Sequence, residues 1–188
     1  LMGYDPASSF SSKNIIFDAG PGCTSLPHLP PFSAKSTTCT HFSKIDLRTG
    51  LTFEIIFNGN GTLFDNRDDA GKGISIESEN GFIYITMCDG RTMNSWNSSP
   101  FAINDNGPNH LGVVIDGGPK IMYLVLNGLF CDGGDEKPFG WCRFASQMLD
   151  INGRKDISLS ENIKLLRIHD RALMTCELVR GFHEITIK

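Results

Sequence analysis

The chain has 188 residues, of which 40% are hydrophobic, so it can bury a sizeable core as one large all-β domain or two small domains. Its formal net charge of −4 and its lack of any basic block argue against nucleic-acid binding. No apolar run approaches the roughly 18 residues that a membrane-spanning helix needs, so we expect no membrane insertion.

Short apolar runs separated by Gly and Pro dominate the chain and predict strands joined by turns, since β-branched and aromatic residues favour the strand. The predicted strands are Asn14–Phe17, Leu51–Phe57, Thr62–Asn66, Gly73–Glu77, Gly81–Cys88, Pro100–Ile103, Leu111–Ile115, Ile121–Leu126, Glu161–Ile168 and Phe182–Ile187. Residues 20–42 form an irregular, Pro-rich segment, and residues 1–12 are predicted to be loose. The first ten residues lack the features of a signal peptide, so we expect either a signal peptide that was removed or a domain of a longer chain.

The clearest local signal is a β-hairpin in the second half of the chain. Its two apolar runs, Leu111–Ile115 and Ile121–Leu126, flank the turn sequence Asp116-Gly117-Gly118-Pro119. Both runs are nearly continuous in apolar residues rather than alternating, which predicts strands that are covered on both faces.

One helix is predicted near the C-terminus, over Arg171–Gly181, with Thr175 as its N-cap and Gly181 just past its end. The segments Asp89–Ser99 and Asp132–Leu149 are predicted to be polar loops. Regular strands, many turns and one late helix favour an all-β sandwich of two antiparallel sheets. We predict a single domain over residues 1–188.

The six cysteines do not have the C-x-x-C spacing of a zinc site. Cys88 ends an apolar run and Cys176 lies in the predicted helix, so both are expected to be buried thiols. The disulfide candidates are the two pairs that flank a loop, Cys131 with Cys142 and Cys23 with Cys39.

The stretch LLRIHDRAL, Leu165–Leu173, followed by Glu177, resembles the end of laminin-G-like domains of the concanavalin A-like lectin and glucanase superfamily. The runs that resemble further strands of these domains, in the right order, are Leu51–Phe57, Phe64–Ile76, His110–Asp116 and Tyr123–Gly128. The resemblance covers about residues 12–188. It implies a jelly-roll sandwich, often found as a non-catalytic module of a carbohydrate-active enzyme or as an adhesion domain.

Catalysis is not expected from the residues themselves. Glycoside hydrolysis needs two carboxylates across the sugar, and the E-x-D-x-x-E pattern of the resembling glucanases does not occur in the sequence. Glu77 and Glu79 have an i, i+2 spacing, but at a turn, where a solvated strand end is the simpler interpretation. The five histidines show no metal-ligand spacing, and no catalytic sequence motif is present.

A calcium site is one hypothesis for the densest cluster of oxygen-bearing side chains, because calcium takes six to eight oxygen ligands. The candidate ligands are Asp65, Asn66, Asp68 and Asp69. The resemblance adds weight, since related domains often bind calcium. The alternative is a solvated loop, in which Arg67 pairs with the carboxylates.

A sugar site is the other hypothesis, because sugars stack on aromatic rings and bond to planar polar groups. Both tryptophans of the chain lie in segments predicted to be polar loops. The candidate residues of the two loops are Arg91, Asn94 and Trp96, and Asp135, Trp141 and Arg143. The alternative is that each tryptophan caps the core beneath its loop.

From the sequence we therefore expect a non-catalytic carbohydrate-binding or accessory module of a secreted carbohydrate-active protein, located outside the cell, in the periplasm or on the cell surface. Its expected partner is a glycan or a neighbouring catalytic domain. The alternatives are an adhesion or structural module that contacts protein and, with less support, a glycoside hydrolase or polysaccharide lyase.

Overall fold

The computed structural model describes residues 15–19, 37–38, 47–98, 103–104, 106–131, 141–153, 156–157, 160, 162–169 and 171–186. The strands and the helix within these ranges are β1 (Ile15–Ala19), β2 (Thr37–Thr38), β3 (Leu51–Phe57), β4 (Gly61–Asp65), β5 (Gly73–Glu79), β6 (Phe82–Cys88), β7 (Met93–Asn97), β8 (Asn109–Asp116), β9 (Ile121–Leu126), β10 (Leu129–Cys131), β11 (Trp141–Arg143), β12 (Asp156–Ile157), β13 (Ile163–His169) and α1 (Thr175–Thr186).

The strands form two antiparallel sheets around a shared hydrophobic core. The larger sheet has seven strands in the order β1-β13-β3-β8-β9-β10, with β11 also paired to β9. The smaller sheet has the order β4-β5-β6-β7, and β2 pairs with β12 in a short ladder. The prediction of an all-β jelly-roll sandwich with one C-terminal helix is confirmed. In the described part of the chain, no helix is long and apolar enough to cross a membrane.

The predicted central hairpin is confirmed as β8 and β9. On one face, Val113 and Leu124 pair within the core between the sheets. On the other face, Val114 and Val125 pack beneath the helix with Leu178. Both faces of these strands are therefore covered, as the nearly continuous apolar pattern predicted.

The prediction that Asp89–Ser99 is a polar loop is wrong over its second half. Met93–Asn97 forms β7, the strand at the end of the four-stranded sheet, and Trp96 pairs there with Ile85 of β6. Because alternate residues of a strand face opposite ways, Asn94 and Trp96 point inward while Met93 and Ser95 point outward. The alternation of polar residues around one tryptophan was the local sign of this strand.

The C-terminal helix lies further along the chain than predicted, because α1 runs from Thr175 to Thr186. Residues 182–186 of the predicted strand Phe182–Ile187 are therefore helical. Gly181 lies inside the helix rather than past its end. Its missing side chain has a packing reason, because a Cβ at Gly181 would lie 2.8 Å from Oε1 of Glu54 on β3. The helix thus covers the outer face of the seven-stranded sheet at close range.

The helix N-cap is also shifted by one residue from the prediction. Thr175 is the first helical residue, and the backbone N–H of Met174 donates to Oε2 of Glu177 at 2.8 Å. This contact makes Met174 the N-cap, with the carboxylate of Glu177 reaching back as in a capping box. Arg171 holds the same carboxylate through two hydrogen bonds, at 2.7 and 2.9 Å.

The cysteines differ from their predicted states. Cys131 and Cys142 are thiols rather than a disulfide, and both pack at the core, where they fill space as small apolar side chains. Cys176 is exposed on the helix and Cys88 is half-buried, so the prediction that both are buried is wrong. The remaining candidate pair, Cys23 with Cys39, lies outside the described residues.

Candidate functional site

The outer face of the four-stranded sheet carries a grid of polar and aromatic side chains. Strand register places one row of the grid across β4–β7 at Thr62, Glu77, Tyr84 and Asn97. The next row consists of Asp65, Ser75, Thr86 and Ser95. These eight residues, with Phe82 and Arg67 beside them, are called the open face below.

Tyr84 lies in the interior of this grid, between Glu77 on one side and Asn97 on the other. It is 39% exposed, whereas Ile83 and Ile85 on either side of it in the chain are buried in the core. The ring of Phe82 lies next to that of Tyr84, with 5.9 Å between ring centroids. The open face therefore presents an aromatic surface to solvent with polar groups around it.

Arg67 is held over the open face by two carboxylates. Its Nη2 donates to Oδ2 of Asp65 at 2.7 Å and to Oε1 of Glu77 at 3.3 Å. Its Nε and its backbone N–H both donate to Oδ1 of Asp65, at 3.0 and 2.8 Å. The hydrogen bonds with Asp65 raise the pKa of the guanidinium above its ordinary value. The arginine is thereby fixed in one position, with part of its side chain in solvent.

Hydroxyl groups complete the polar surface. The hydroxyls of Thr86 and Ser95 lie 3.1 Å apart on neighbouring strands and form an exposed hydrogen bond. With the carboxylate of Glu77 and the guanidinium of Arg67, the open face offers both donors and acceptors beside an aromatic ring.

The structure places the first predicted sugar loop mostly elsewhere. Trp96 is 2% exposed in the core, so its ring offers no face to a sugar, and the expectation that it forms a stacking platform is wrong. The side-chain oxygen of Asn94 accepts a hydrogen bond from the backbone N–H of Ala145 at 2.9 Å. Arg91 lies exposed in the turn between β6 and β7, where its backbone N–H donates to Asp89.

The second predicted sugar loop meets the first at one edge of the sandwich. The contact of Asn94 with Ala145 ties β7 to the segment that follows β11. On β11, Trp141 pairs with Tyr123 of β9, and Arg143 is exposed two residues further on. Asp135 lies outside the described residues. The two segments are therefore neighbours, as a shared site would require, but Trp96 does not contribute a surface to it.

The four predicted calcium ligands do not converge on a common site. Three of them bind other groups, and one is exposed. Asp65 binds Arg67, as described above, and Oδ1 of Asp68 accepts the backbone N–H groups of Ala70 and Lys72. Asp69 is exposed. Among the described residues, no group of three His, Cys, Asp or Glu side chains has the arrangement of a metal site.

Asn66, the fourth predicted ligand, is a buried structural residue. Its Oδ1 accepts the backbone N–H of Ile74 at 2.8 Å, and its Nδ2 donates to the carbonyl of Ile151 at 3.4 Å. It therefore joins the β4–β5 connection to the segment after β11. The pairing of Arg67 with Asp65 matches the alternative interpretation of a loop held by its arginine, while calcium binding itself stays a prediction.

Four ionisable side chains that no sequence motif connects meet beneath the helix. Glu54 of β3 is 1% exposed, and its Oε1 lies 2.9 Å from Nε2 of His110 on β8. Its Oε2 lies 3.4 Å from Nε2 of His169 and 3.6 Å from Nη1 of Arg167, both on β13. The cluster is closed off by α1 at Gly181, so no substrate reaches it in this structure.

Burial by itself would raise the pKa of the Glu54 carboxyl, but the hydrogen bonds from His110 and His169 and the charge of Arg167 outweigh burial. The pKa of Glu54 therefore lies well below its usual range. Glu54 and His110 are 56 positions apart in the chain, and His110 and His169 are 59 apart, so no local spacing in the sequence indicates the cluster. The one available signal was Glu54 itself, a charged residue within the apolar run LTFEIIF.

No protein-family profile matches the chain, and no curated protein is significantly similar to it. Solved structures do share its architecture. The binding domain of botulinum neurotoxin DC, solved in complex with rat synaptotagmin II, superposes with a TM-score of 0.60 at 15% identity, over 79% of this chain and 39% of that chain. The CBM40 domain of Ruminococcus gnavus IT-sialidase, bound to α2,3-sialyllactose, gives a TM-score of 0.55 at 14% identity, over 71% of this chain and 83% of that chain.

A third similar structure is the K499G mutant of NanB sialidase from Streptococcus pneumoniae, with a TM-score of 0.62 at 14% identity over 88% of this chain and 28% of that chain. At these identities the likeness establishes the β-sandwich fold, and the fold is shared by proteins with different activities. The chain spans less than half the length of the neurotoxin binding domain that it matches.

Proposed function

We propose that the protein is a non-catalytic carbohydrate-binding module of the laminin-G-like, concanavalin A-like superfamily, and that it binds glycans on the open face. The observation that carries the proposal is Tyr84, an exposed aromatic ring in the interior of a polar sheet face. The CBM40 structure described above, which has a sialylated sugar bound on the same type of fold, adds support.

The physical argument starts from the two kinds of surface on a sugar. The C–H groups of a pyranose ring make an apolar face that packs against an aromatic ring, while the hydroxyls at its edge need donors and acceptors. Tyr84 and Phe82 supply the aromatic surface. Glu77 and Arg67 lie beside them, already held in place by their ion pair, so little side-chain freedom is lost on binding.

A binding role fits the carboxylates better than a catalytic role does. On the open face, Asp65 and Glu77 both bind the guanidinium of Arg67, so the two carboxylates are tied to one cation rather than free to act as an acid and a nucleophile. Glu54 is ionised and sealed beneath the helix. A glycosidase needs one carboxyl that keeps its proton near neutral pH and a second across the sugar.

The wider setting is part of the proposal. A module of this kind, appended to a catalytic domain of a secreted or surface-located carbohydrate-active protein, would bring that domain to its substrate. The similar neurotoxin and NanB sialidase chains are both much longer than the part that this chain matches, which is the arrangement expected of a module. Whether glycan binding needs calcium is part of the test.

The test is a glycan-array screen of the whole chain, in calcium and again in EDTA, followed by calorimetry on the strongest ligand. Tyr84→Ala should weaken binding about tenfold, since loss of aromatic stacking and its buried area amounts to about 1.4 kcal/mol. Phe130→Ala is the matched control, because Phe130 is an aromatic residue of the other sheet with a similar exposure of 43%.

Unchanged binding by folded Tyr84→Ala protein would remove the open face as the site. If Trp141→Ala abolished binding while Tyr84→Ala did not, the site would instead lie at the β9–β11 edge, which carries Trp141 and Arg143 of the second predicted sugar loop. Loss of binding in EDTA with all variants alike would add a metal requirement.

A second candidate function, a structural module that contacts a neighbouring protein domain, is favoured by the edge strand β10. Leu129 and Phe130 are both exposed there, at the end of the seven-stranded sheet as described. Adjacent apolar side chains on a sheet edge suit protein contact. In that case Leu129→Lys should raise the solubility of the isolated chain and leave every glycan signal unchanged, whereas reduced solubility would count against it.

A further inference from the structure

The charges on the open face are unbalanced, and the imbalance restricts what it binds. Asp65 and Glu77 of the open face contribute two carboxylates, and Glu79, opposite Phe82 on the same side of β5 as Glu77, contributes a third beside it. Arg67 contributes the one guanidinium among the residues described as forming this face. Three carboxylates and one guanidinium give this surface around Tyr84 a net charge of −2.

The arginine is also badly placed to receive an anion. Its Nη2 and Nε already donate to the carboxylates of Asp65 and Glu77. A sugar carboxylate or sulfate approaching Arg67 would have to displace one of these carboxylates or lie beside it. A neutral sugar meets no such conflict, because its hydroxyls donate to carboxylate oxygens and gain charge-assisted hydrogen bonds.

From these two observations we infer that the open face prefers neutral glycans over sialylated or sulfated ones, although the similar CBM40 structure holds a sialylated sugar. This inference rests on the proposed function. If a bound anion is taken to lie about 7 Å from a net charge of −2, Coulomb's law in water predicts a preference for the neutral glycan of about fivefold at 10 mM salt and about twofold at 150 mM salt.

The experiment compares matched glycan pairs on the array and in calorimetry, beginning with lactose and α2,3-sialyllactose, at 10 and 150 mM salt. The preference for the neutral member should grow as salt falls. Glu77→Gln keeps the size of the side chain and removes one charge, so its preference at 10 mM salt should drop to about twofold. Asp116→Asn is the matched control, since it removes a carboxylate from the other sheet and still accepts the backbone N–H of Gly118.

The outcomes separate the two ideas. Binding of the sialylated member as tight as that of the neutral member at both salt concentrations, with sensitivity to Tyr84→Ala, would overturn the selectivity and leave the proposed function standing. A preference that does not change with salt or with Glu77→Gln would mean a steric cause, and would also overturn it. Binding of neither member of any pair would overturn the proposed function and the selectivity with it.

Discussion

Removal of the buried charge at Glu54 is the sharpest available test of how the helix is held to the sheet. Glu54→Gln keeps the volume of the side chain and leaves His110, His169 and Arg167 without their carboxylate. Breaking one partner of a buried ion pair costs roughly 3 to 5 kcal/mol. Since most domains have only about 5 to 15 kcal/mol of stability, this is a large fraction of the total.

The pH dependence of the stability tests the same residue, and its direction can be predicted. The pKa of Glu54 is lowered in the folded protein, so its contribution is present above the unfolded pKa, near 4.5, and is lost as the pH falls below that value. The slope amounts to about 1.4 kcal/mol per pH unit for one proton. Between about pH 3 and 4.5, the wild-type protein should therefore lose stability more steeply than Glu54→Gln.

Urea unfolding followed by tryptophan fluorescence measures both quantities, because Trp96 is buried in the core and reports its exposure. Glu79→Gln is the control, an exposed residue whose loss should change neither the stability nor the slope. Equal slopes for wild type and Glu54→Gln would show that the pKa of Glu54 in the folded state is not lowered, which contradicts the prediction.

Three further predictions concern single residues. Trp96→Ala should cost about 3 to 5 kcal/mol in urea unfolding, by loss of a buried aromatic ring, and should leave the glycan affinity of the folded fraction unchanged; a selective loss of affinity would restore Trp96 as a binding residue. Gly117→Ala should cost about 3 kcal/mol or more, because its Cβ would lie 1.6 Å from the carbonyl oxygen of Leu47, and an unchanged melting temperature would contradict that close approach. Glu177→Ala should cost about 1 kcal/mol at pH 7, because it removes the cap on Met174. That difference should shrink as the pH falls below about 4.5, since the hydrogen bond from Arg171 lowers the pKa of Glu177 in the folded state, and a cost that stays constant to pH 3 would argue against the cap.

The sheets could be predicted largely from local pattern. The hairpin of β8 and β9 depends on two apolar runs and a Gly-rich turn that are contiguous in the chain, and the structure places both strands within two residues of their predicted ends. The strand β3 was predicted with the same bounds that it has in the structure, Leu51–Phe57. Short-range periodicity was sufficient there, because each strand pairs with a neighbour whose own pattern is equally plain.

The end of the chain needed long-range information. The run Phe182–Ile187 has the composition of a strand, yet residues 182–186 continue α1, because Leu178 and Phe182 lie one turn apart and both face the seven-stranded sheet. Gly112 and Gly181 allow that close approach, since a Cβ on either would meet atoms of the facing element. The benefit of packing a helix on the sheet outweighs the local preference, and nothing in the segment itself records the sheet beneath it.

The candidate sites show the same difference between what the local pattern predicts and what long-range packing sets. The fold class follows from residue type and short-range order, whereas the residues of the open face, Tyr84, Phe82, Glu77 and Arg67, were not among the predicted sugar-binding residues. Tertiary packing turns Trp96 inward and Tyr84 outward beside Glu77, which binds Arg67, and it brings Glu54 together with two distant histidines. The physical reason is that the face on which a strand residue lies depends on register and on what covers each side of the sheet, and both are set by chain segments far away in sequence.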